Sequence, residues 1–182
     1  GLVRITEDGK AVDLLWGYSD GAAPTSEFPT HLMGHQARLA EHSDQRVVMH
    51  CHPTNLIAMT FTQKLDEKIF SRILSKMQTE SLVGFPEGIG IIPWMVPGTN
   101  QIGEATAAKL KDFRAVIWPQ HGLFGTGATI DEAFGLIETI EKAAQIWTVI
   151  QQQGGKIEQT ITDQDLLDLA KVFNVQPNRA FI

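Results

Sequence analysis

Apolar and polar positions in the first part of the chain read as a hairpin. Two short apolar runs, Leu2 to Thr6 and Val12 to Gly17, flank the glycine-containing turn Glu7-Asp8-Gly9-Lys10. From Thr30 to His42, Leu32, Gln36 and Leu39 fall on one helical face, with Pro24-Thr25-Ser26-Glu27 leading in. Arg46 to His52 holds two adjacent β-branched residues in an apolar run and stops at Pro53, which predicts a strand that ends at a turn. Helical spacing returns over Asn55 to Phe61 and Asp66 to Met77. Gly88 to Trp94 reads as a short strand with a loop closing at Pro97-Gly98, Gln101 to Phe113 as a helix, and Arg114 to Pro119 as a buried strand.

Thr129 to Gln152 carries the strongest helical pattern. Thr129 with Glu132 has the form of a capping box, and Ile130, Phe134, Ile137, Ile140, Ala144 and Trp147 keep helical spacing before Gly154-Gly155 ends the run. Asp163 to Phe173 is a shorter closing helix. Strands separated by helices after an opening hairpin predict an α/β fold, a layered sheet flanked by helices.

A chain of 182 residues with 43% apolar and 20% charged content is long enough to bury a core as a single domain, 1–182. Acidic residues outnumber basic ones 21 to 15 without any basic block, which argues against a nucleic-acid partner. The lone Cys51 forms no internal disulfide, and the absence of a leader-like or membrane-length apolar run reads as a cytoplasmic protein with no membrane partner. Gly1 in place of Met, followed by a strand already in progress, predicts a domain truncated at its amino end.

His50 and His52 stand two apart at a predicted strand end, so both imidazoles project from one face. That geometry suits two ligands of one metal, and it equally suits two histidines hydrogen-bonded near a sheet edge. Catalytic zinc uses three protein ligands, and His121, at the start of the glycine-rich turn His121 to Gly127, is the best third candidate. His31 and His35 form a competing i, i+4 pair but lack the glutamate of H-E-x-x-H. A polar helix face with His31, Arg38 and His42 is more simply solvated or hydrogen-bonded, and His31 and His35 suit supporting or pocket-lining roles. By position alone Glu27 is an acid at a helix start, Thr25 and Ser26 are caps, Glu80 is solvated surface, and Trp16, Trp94, Trp118 and Trp147 are core or interface.

Taken together, Pro24-Thr25-Ser26-Glu27, His50-Cys51-His52-Pro53-Thr54-Asn55 and Trp118-Pro119-Gln120-His121-Gly122 resemble the class II aldolase and adducin-like family. Ile92 to Thr99 and Phe134 to Ile137 extend the likeness over nearly the whole chain and point to the branch that acts on L-rhamnulose 1-phosphate. The resemblance implies a catalytic Zn2+ on His50, His52 and His121, with Glu27 as acid/base beside it. It also implies a homotetramer with active sites near subunit contacts, in which Glu80 reaches a neighbouring subunit's site.

The reaction implied is reversible cleavage of a phosphorylated ketose, L-rhamnulose 1-phosphate, to dihydroxyacetone phosphate and L-lactaldehyde in L-rhamnose breakdown. Zinc would stabilise the charge left when the carbon-carbon bond breaks, so no lysine Schiff base is needed. The family's amino-terminal loops that grip the phosphate have no counterpart in residues 1–182. If these residues are the whole expressed chain, the expectation is weak or absent cleavage and an exposed sheet edge. The alternatives are another sugar-phosphate aldolase or epimerase of the family, an adducin-like binding module or inactive fragment, and a hydrolytic zinc enzyme built on the H-x-H pair.

Overall fold

The structure, a computed structural model, describes residues 1–41 and 44–182; His42, in the predicted first helix, lies outside the described residues. Two strands, β1 (Leu2–Ile5) and β2 (Val12–Trp16), form an antiparallel hairpin that is a sheet of its own. Its turn closes through Thr6 N–H to Ala11 O (3.0 Å) and Gly9 N–H to Thr6 O (2.8 Å). The hairpin leaves its apolar side chains in solvent, Trp16 most of all at 73% exposure.

The main sheet has four strands in the order β3 (Val47–Cys51), β6 (Gly122–Gly127), β5 (Ala115–Trp118) and β4 (Gly90–Ile91). Neighbours run antiparallel except β4 with β5. All of β5 is buried, because its alternate residues enter two different cores. Ala115 and Ile117 join the cluster with α2 (Thr54–Thr62), α3 (Glu67–Ser75) and α6 (Ile130–Gln152). Val116 and Trp118 face α1 (Phe28–Glu41) and α5 (Asn100–Lys109) on the other side. Leu82 of α4 (Glu80–Gly84) packs with Leu166 and Ala170 of α7 (Asp163–Val172) in a third cluster.

The hairpin and the predicted helices and strands are present with shifted ends. Several readings change. The glycine-rich "turn" after His121 is a strand, β6, wholly buried in the sheet. Its glycines let α6 lie directly on it, since a Cβ at Gly125 would come within 2.6 Å of Ile137 and one at Gly127 within 2.6 Å of the Ala133 nitrogen. The short α4 carries no periodicity of its own and goes unrecognised in the pattern.

On α1 the packed face is Thr30, Gly34, Ala37 and Arg38, and Leu39 is 39% exposed. Small residues let α1 and α5 approach closely: a Cβ at Gly103 would sit 2.7 Å from Met33 Sδ. Arg38 is buried and donates to Leu110 O at 2.8 Å, so it is hydrogen-bonded and not solvated. On α6, Ile130 and Phe134 follow the helical spacing of the core residues yet face solvent, whereas Leu136 and Trp147 are buried. Of the four tryptophans, Trp118 and Trp147 are core and Trp16 and Trp94 are exposed. Thr129 caps α6 by accepting from Glu132 N–H, but the Glu132 carboxylate returns to Ala128 N–H; the reciprocal capping box is at Thr162 and Asp165 on α7.

Candidate metal centre

His50 lies in β3 opposite Phe124 of β6, and His52 follows one residue past the strand end. The strand's alternation sends both imidazoles to the α1 side and Cys51 to the other, where it packs against the core with α2 and α6. Burial pushes the Cys51 thiol up to about 11, and the Glu141 charge adds to the effect, so it stays protonated and is not a ligand of this face. His121 is delivered from the three-residue link between β5 and β6, whose ends Trp118 and Gly122 pair with each other. The ligand atoms of His50, His52 and His121 all lie within 4.8 Å of one another.

The tautomer of His50 follows from its partner. Its Nδ1 is 3.1 Å from Leu123 O, which only accepts, so Nδ1 carries the hydrogen and Nε2 keeps a lone pair. That Nε2 is buried without a hydrogen-bond partner among the described residues. The ring stacks on Phe124 at 4.4 Å and lies 5.3 Å from Trp118. Burial, followed by the neighbouring His121 and His52, pushes His50 down to about 4, so it is neutral at pH 7. His121 is lowered by burial first and His52 second. A buried, neutral imidazole with an idle lone pair beside two further imidazoles fits a borderline-soft divalent ion.

Gly122 completes the fit. A Cβ there would meet Cys51 O at 2.4 Å, His50 Cε1 at 3.0 Å and His52 Cδ2 at 3.1 Å. Only glycine lets β6 start between His50 and His52.

Glu27 sits immediately before α1, where its carbonyl accepts the His31 N–H at 3.1 Å. Thr25 Oγ1 donates to its carboxylate, and Ser26 Oγ donates to the other oxygen at 3.0 Å. Those bonds, Thr25 first, hold the Glu27 carboxyl below its usual range against the opposing effect of burial. Its charge is close enough to raise the basicity of His50, His121 and His31. Thr25 and Ser26 therefore act on Glu27 itself. The loop from β4 to α5 supports this turn, with Gly98 against Ser26.

His31 and His35 do not join the triad. His31 Nδ1 donates to Val48 O (3.1 Å) and its ring lies 5.1 Å from Phe124, the ring that also stacks on His50. Glu80 is exposed at the start of α4, in the layer on the opposite face of the sheet from α1, in a surface pocket of about 320 Å³ with Val83, Thr139 and Phe173. One chain does not bring it to the histidines.

Two supports escaped the sequence reading. Glu141 of α6 accepts from the first amides of α2, and Gln120 ties the His121 loop to Thr60. Both are contacts between residues far apart in the chain, with no local signature.

Comparison with known proteins bears directly on this arrangement. The description "Class II Aldolase and Adducin N-terminal domain" matches residues 1–148. The chain belongs to the class II aldolase and adducin family. A curated relative named rhamnulose-1-phosphate aldolase, from Listeria monocytogenes, is 56% identical over all 182 residues, and the chain spans 66% of that relative's length. Among solved structures, a sugar-phosphate aldolase from Thermotoga maritima is 32% identical, with a TM-score of 0.64 over 73% of this chain and 56% of that one. A structure named L-fuculose 1-phosphate aldolase, 19% identical, shares the fold with a TM-score of 0.59 over 83% of this chain and 64% of its own. The α/β class of the family is the one seen here. No helix among the described residues is long and apolar enough to cross a membrane.

Proposed function

We propose that this chain is the metal-dependent catalytic domain of a sugar-phosphate aldolase that reversibly cleaves L-rhamnulose 1-phosphate to dihydroxyacetone phosphate and L-lactaldehyde. The observation that carries the reading is the triad of His50, His52 and His121 with the ionised Glu27 beside it. The 56% identity to a protein of that name supports the choice of sugar.

In this reading His50, His52 and His121 hold a zinc ion. When bound, zinc supplies Lewis-acid stabilisation of the negative charge that develops on the ketose oxygens as the carbon-carbon bond breaks. The chain's own groups do the rest. His50 presents Nε2 because Leu123 O holds its other nitrogen, and Phe124 holds the ring plane. Glu27, unprotonated at neutral pH, takes the proton from the dihydroxyacetone carbon in the condensation direction, and its protonated form returns it in cleavage, aimed by Thr25 and Ser26. Glu80 serves a second copy's site, where it exchanges a proton with the aldehyde-side oxygen, which makes the working form an oligomer; the family likeness supports a homotetramer, and the single Cys51 supports a cytoplasmic setting.

The test is the metal content of the purified chain beside a His50→Ala/His52→Ala variant, with cleavage of L-rhamnulose 1-phosphate followed in parallel. One zinc per chain that disappears in the variant, together with cleavage in the parent, supports the whole reading. Zinc without cleavage supports the metal centre and overturns the activity of this chain. Absence of zinc from the parent overturns the metal assignment.

A further inference from the structure

The link that delivers His121 is under conformational load. Pro119, Gln120 and His121 span the gap between paired strand ends, and Gln120 does so at φ 58°, a left-handed conformation that glutamine rarely takes. Such a residue persists where its surroundings over-determine it. Gln120 makes three hydrogen bonds, all to one partner. Its backbone N–H donates to Thr60 Oγ1 at 3.0 Å, and its side-chain Nε2 donates to Thr60 O at 2.8 Å and to Thr60 Oγ1 at 3.2 Å.

Thr60 is itself fixed. It is 4% exposed, in the last turns of α2, and its hydroxyl donates to Ile57 O at 2.7 Å. That leaves the oxygen free to accept twice, and Gln120 supplies both donors. The other end of α2 begins two residues after His52, where the Glu141 carboxylate accepts from Asn55 and Leu56. One nine-residue helix therefore carries the H-x-H strand end at its start and holds the His121 turn near its finish.

We infer that Gln120 and Thr60 are positioning residues that set His121 against His50 and His52 before any ion arrives. The inference rests on the reading of the three histidines as a metal centre. It assigns the clamp a role in the affinity and geometry of the site beyond its share of stability. The left-handed backbone and the side-chain bonds are separable. Gln120→Gly keeps the backbone conformation at no steric cost and removes the side-chain bonds; Thr60→Val keeps the shape of the buried residue and removes the acceptor; Thr60→Ser keeps the hydroxyl.

The experiment measures zinc affinity of the full chain by chelator competition, the visible spectrum of the Co2+-loaded protein, and the melting temperature of the metal-free protein. It compares the parent with His121→Ala, Gln120→Gly, Thr60→Val and Thr60→Ser. The expected result is zinc binding weakened about 10- to 100-fold in Gln120→Gly and Thr60→Val, the range for groups that orient a metal ligand. The Co2+ ligand-field bands shift in the same two variants, and Thr60→Ser restores both readouts. Affinity and bands unchanged in Gln120→Gly, with only the melting temperature lowered, overturn the inference and leave the clamp merely structural. If Thr60→Val fails to fold, Gln120→Gly, whose position is only half-buried, decides the matter alone. The two readings fail separately: a parent that takes up no zinc, or a His121→Ala variant that binds as the parent does, overturns the metal centre itself and the clamp with it.

Discussion

The carboxylate of Glu141, in the middle of α6, accepts the backbone N–H of Leu56, at the start of α2, at 3.0 Å, and its other oxygen takes the N–H of Asn55 at 3.0 Å and that residue's side-chain amide at 2.8 Å. A helix leaves its first amides without partners, and here a negative charge from another helix meets them. The residue at the cap position is Pro53, which cannot do this with its own side chain. Glu141 thus stands in for a capping residue directly behind His52. Glu141→Ala is expected to cost about 1–2 kcal/mol, measured by urea unfolding of the metal-free protein. Glu141→Gln, which keeps an acceptor and loses the charge, is expected to fall between the two.

Gly122→Ala is expected to abolish metal binding. The added carbon would lie 2.4 Å from Cys51 O and against both imidazoles, so β3 and β6 must separate where His50 and His52 are held. Overpacking of this kind costs about 1–3 kcal/mol, and the measurement is zinc per chain by elemental analysis beside the melting temperature. A stoichiometric zinc content in the variant would refute the role given to this glycine.

Glu27→Gln preserves the size of the side chain and leaves the three histidines untouched. If Glu27 moves the substrate proton, kcat for cleavage falls about 100- to 10,000-fold, the usual worth of a general acid or base, while the zinc content stays at the parental level. A loss of zinc in step with the loss of rate would make Glu27 a ligand or a structural residue instead.

Acid stability depends on Asp163. Arg72 meets its carboxylate at 2.8 and 2.9 Å, Lys76 at 2.7 Å, and together, Arg72 first, they push its pKa from 3.8 to about 2. Between those values the unfolded chain binds the proton and the folded one does not. The contribution to stability is therefore complete above pH 3.8 and disappears as the pH falls toward 2. Asp163→Asn removes this dependence. Unfolding midpoints measured from pH 5 to pH 2 are expected to fall less steeply for the variant than for the parent.

Much of this architecture is legible in the residue pattern. The continuous apolar run of β5 and the helical spacing of Ile137, Ile140, Ala144 and Trp147 along α6 are local signals that survive folding. The pattern misleads where a neighbouring element sets the outcome. Gly122, Gly125 and Gly127 look like a turn because glycine usually frees the backbone, whereas here it makes room for β3 and α6. Ile130 and Phe134 share the spacing of the core residues, yet both face solvent. At the candidate site, the H-x-H strand end and the likeness of the His121-Gly122 pair to a family motif bring the three histidines into view together. Gln120, Thr60 and Glu141 do not show in the sequence, because each matters through a partner that only the fold brings near.

The donors of the proposed centre also differ in what they can do without the fold. An unfolded chain keeps His50 and His52 as neighbours, but His121 joins them only when β3 and β6 have paired. The unfolded ensemble would then offer zinc a weak two-point grip and the native state a three-point one, and the difference between the two affinities becomes folding free energy. Zinc supply would set how long the domain survives heating, with a melting temperature that climbs with the logarithm of free zinc. A shortage of the ion would then cost the domain heat resistance as well as turnover.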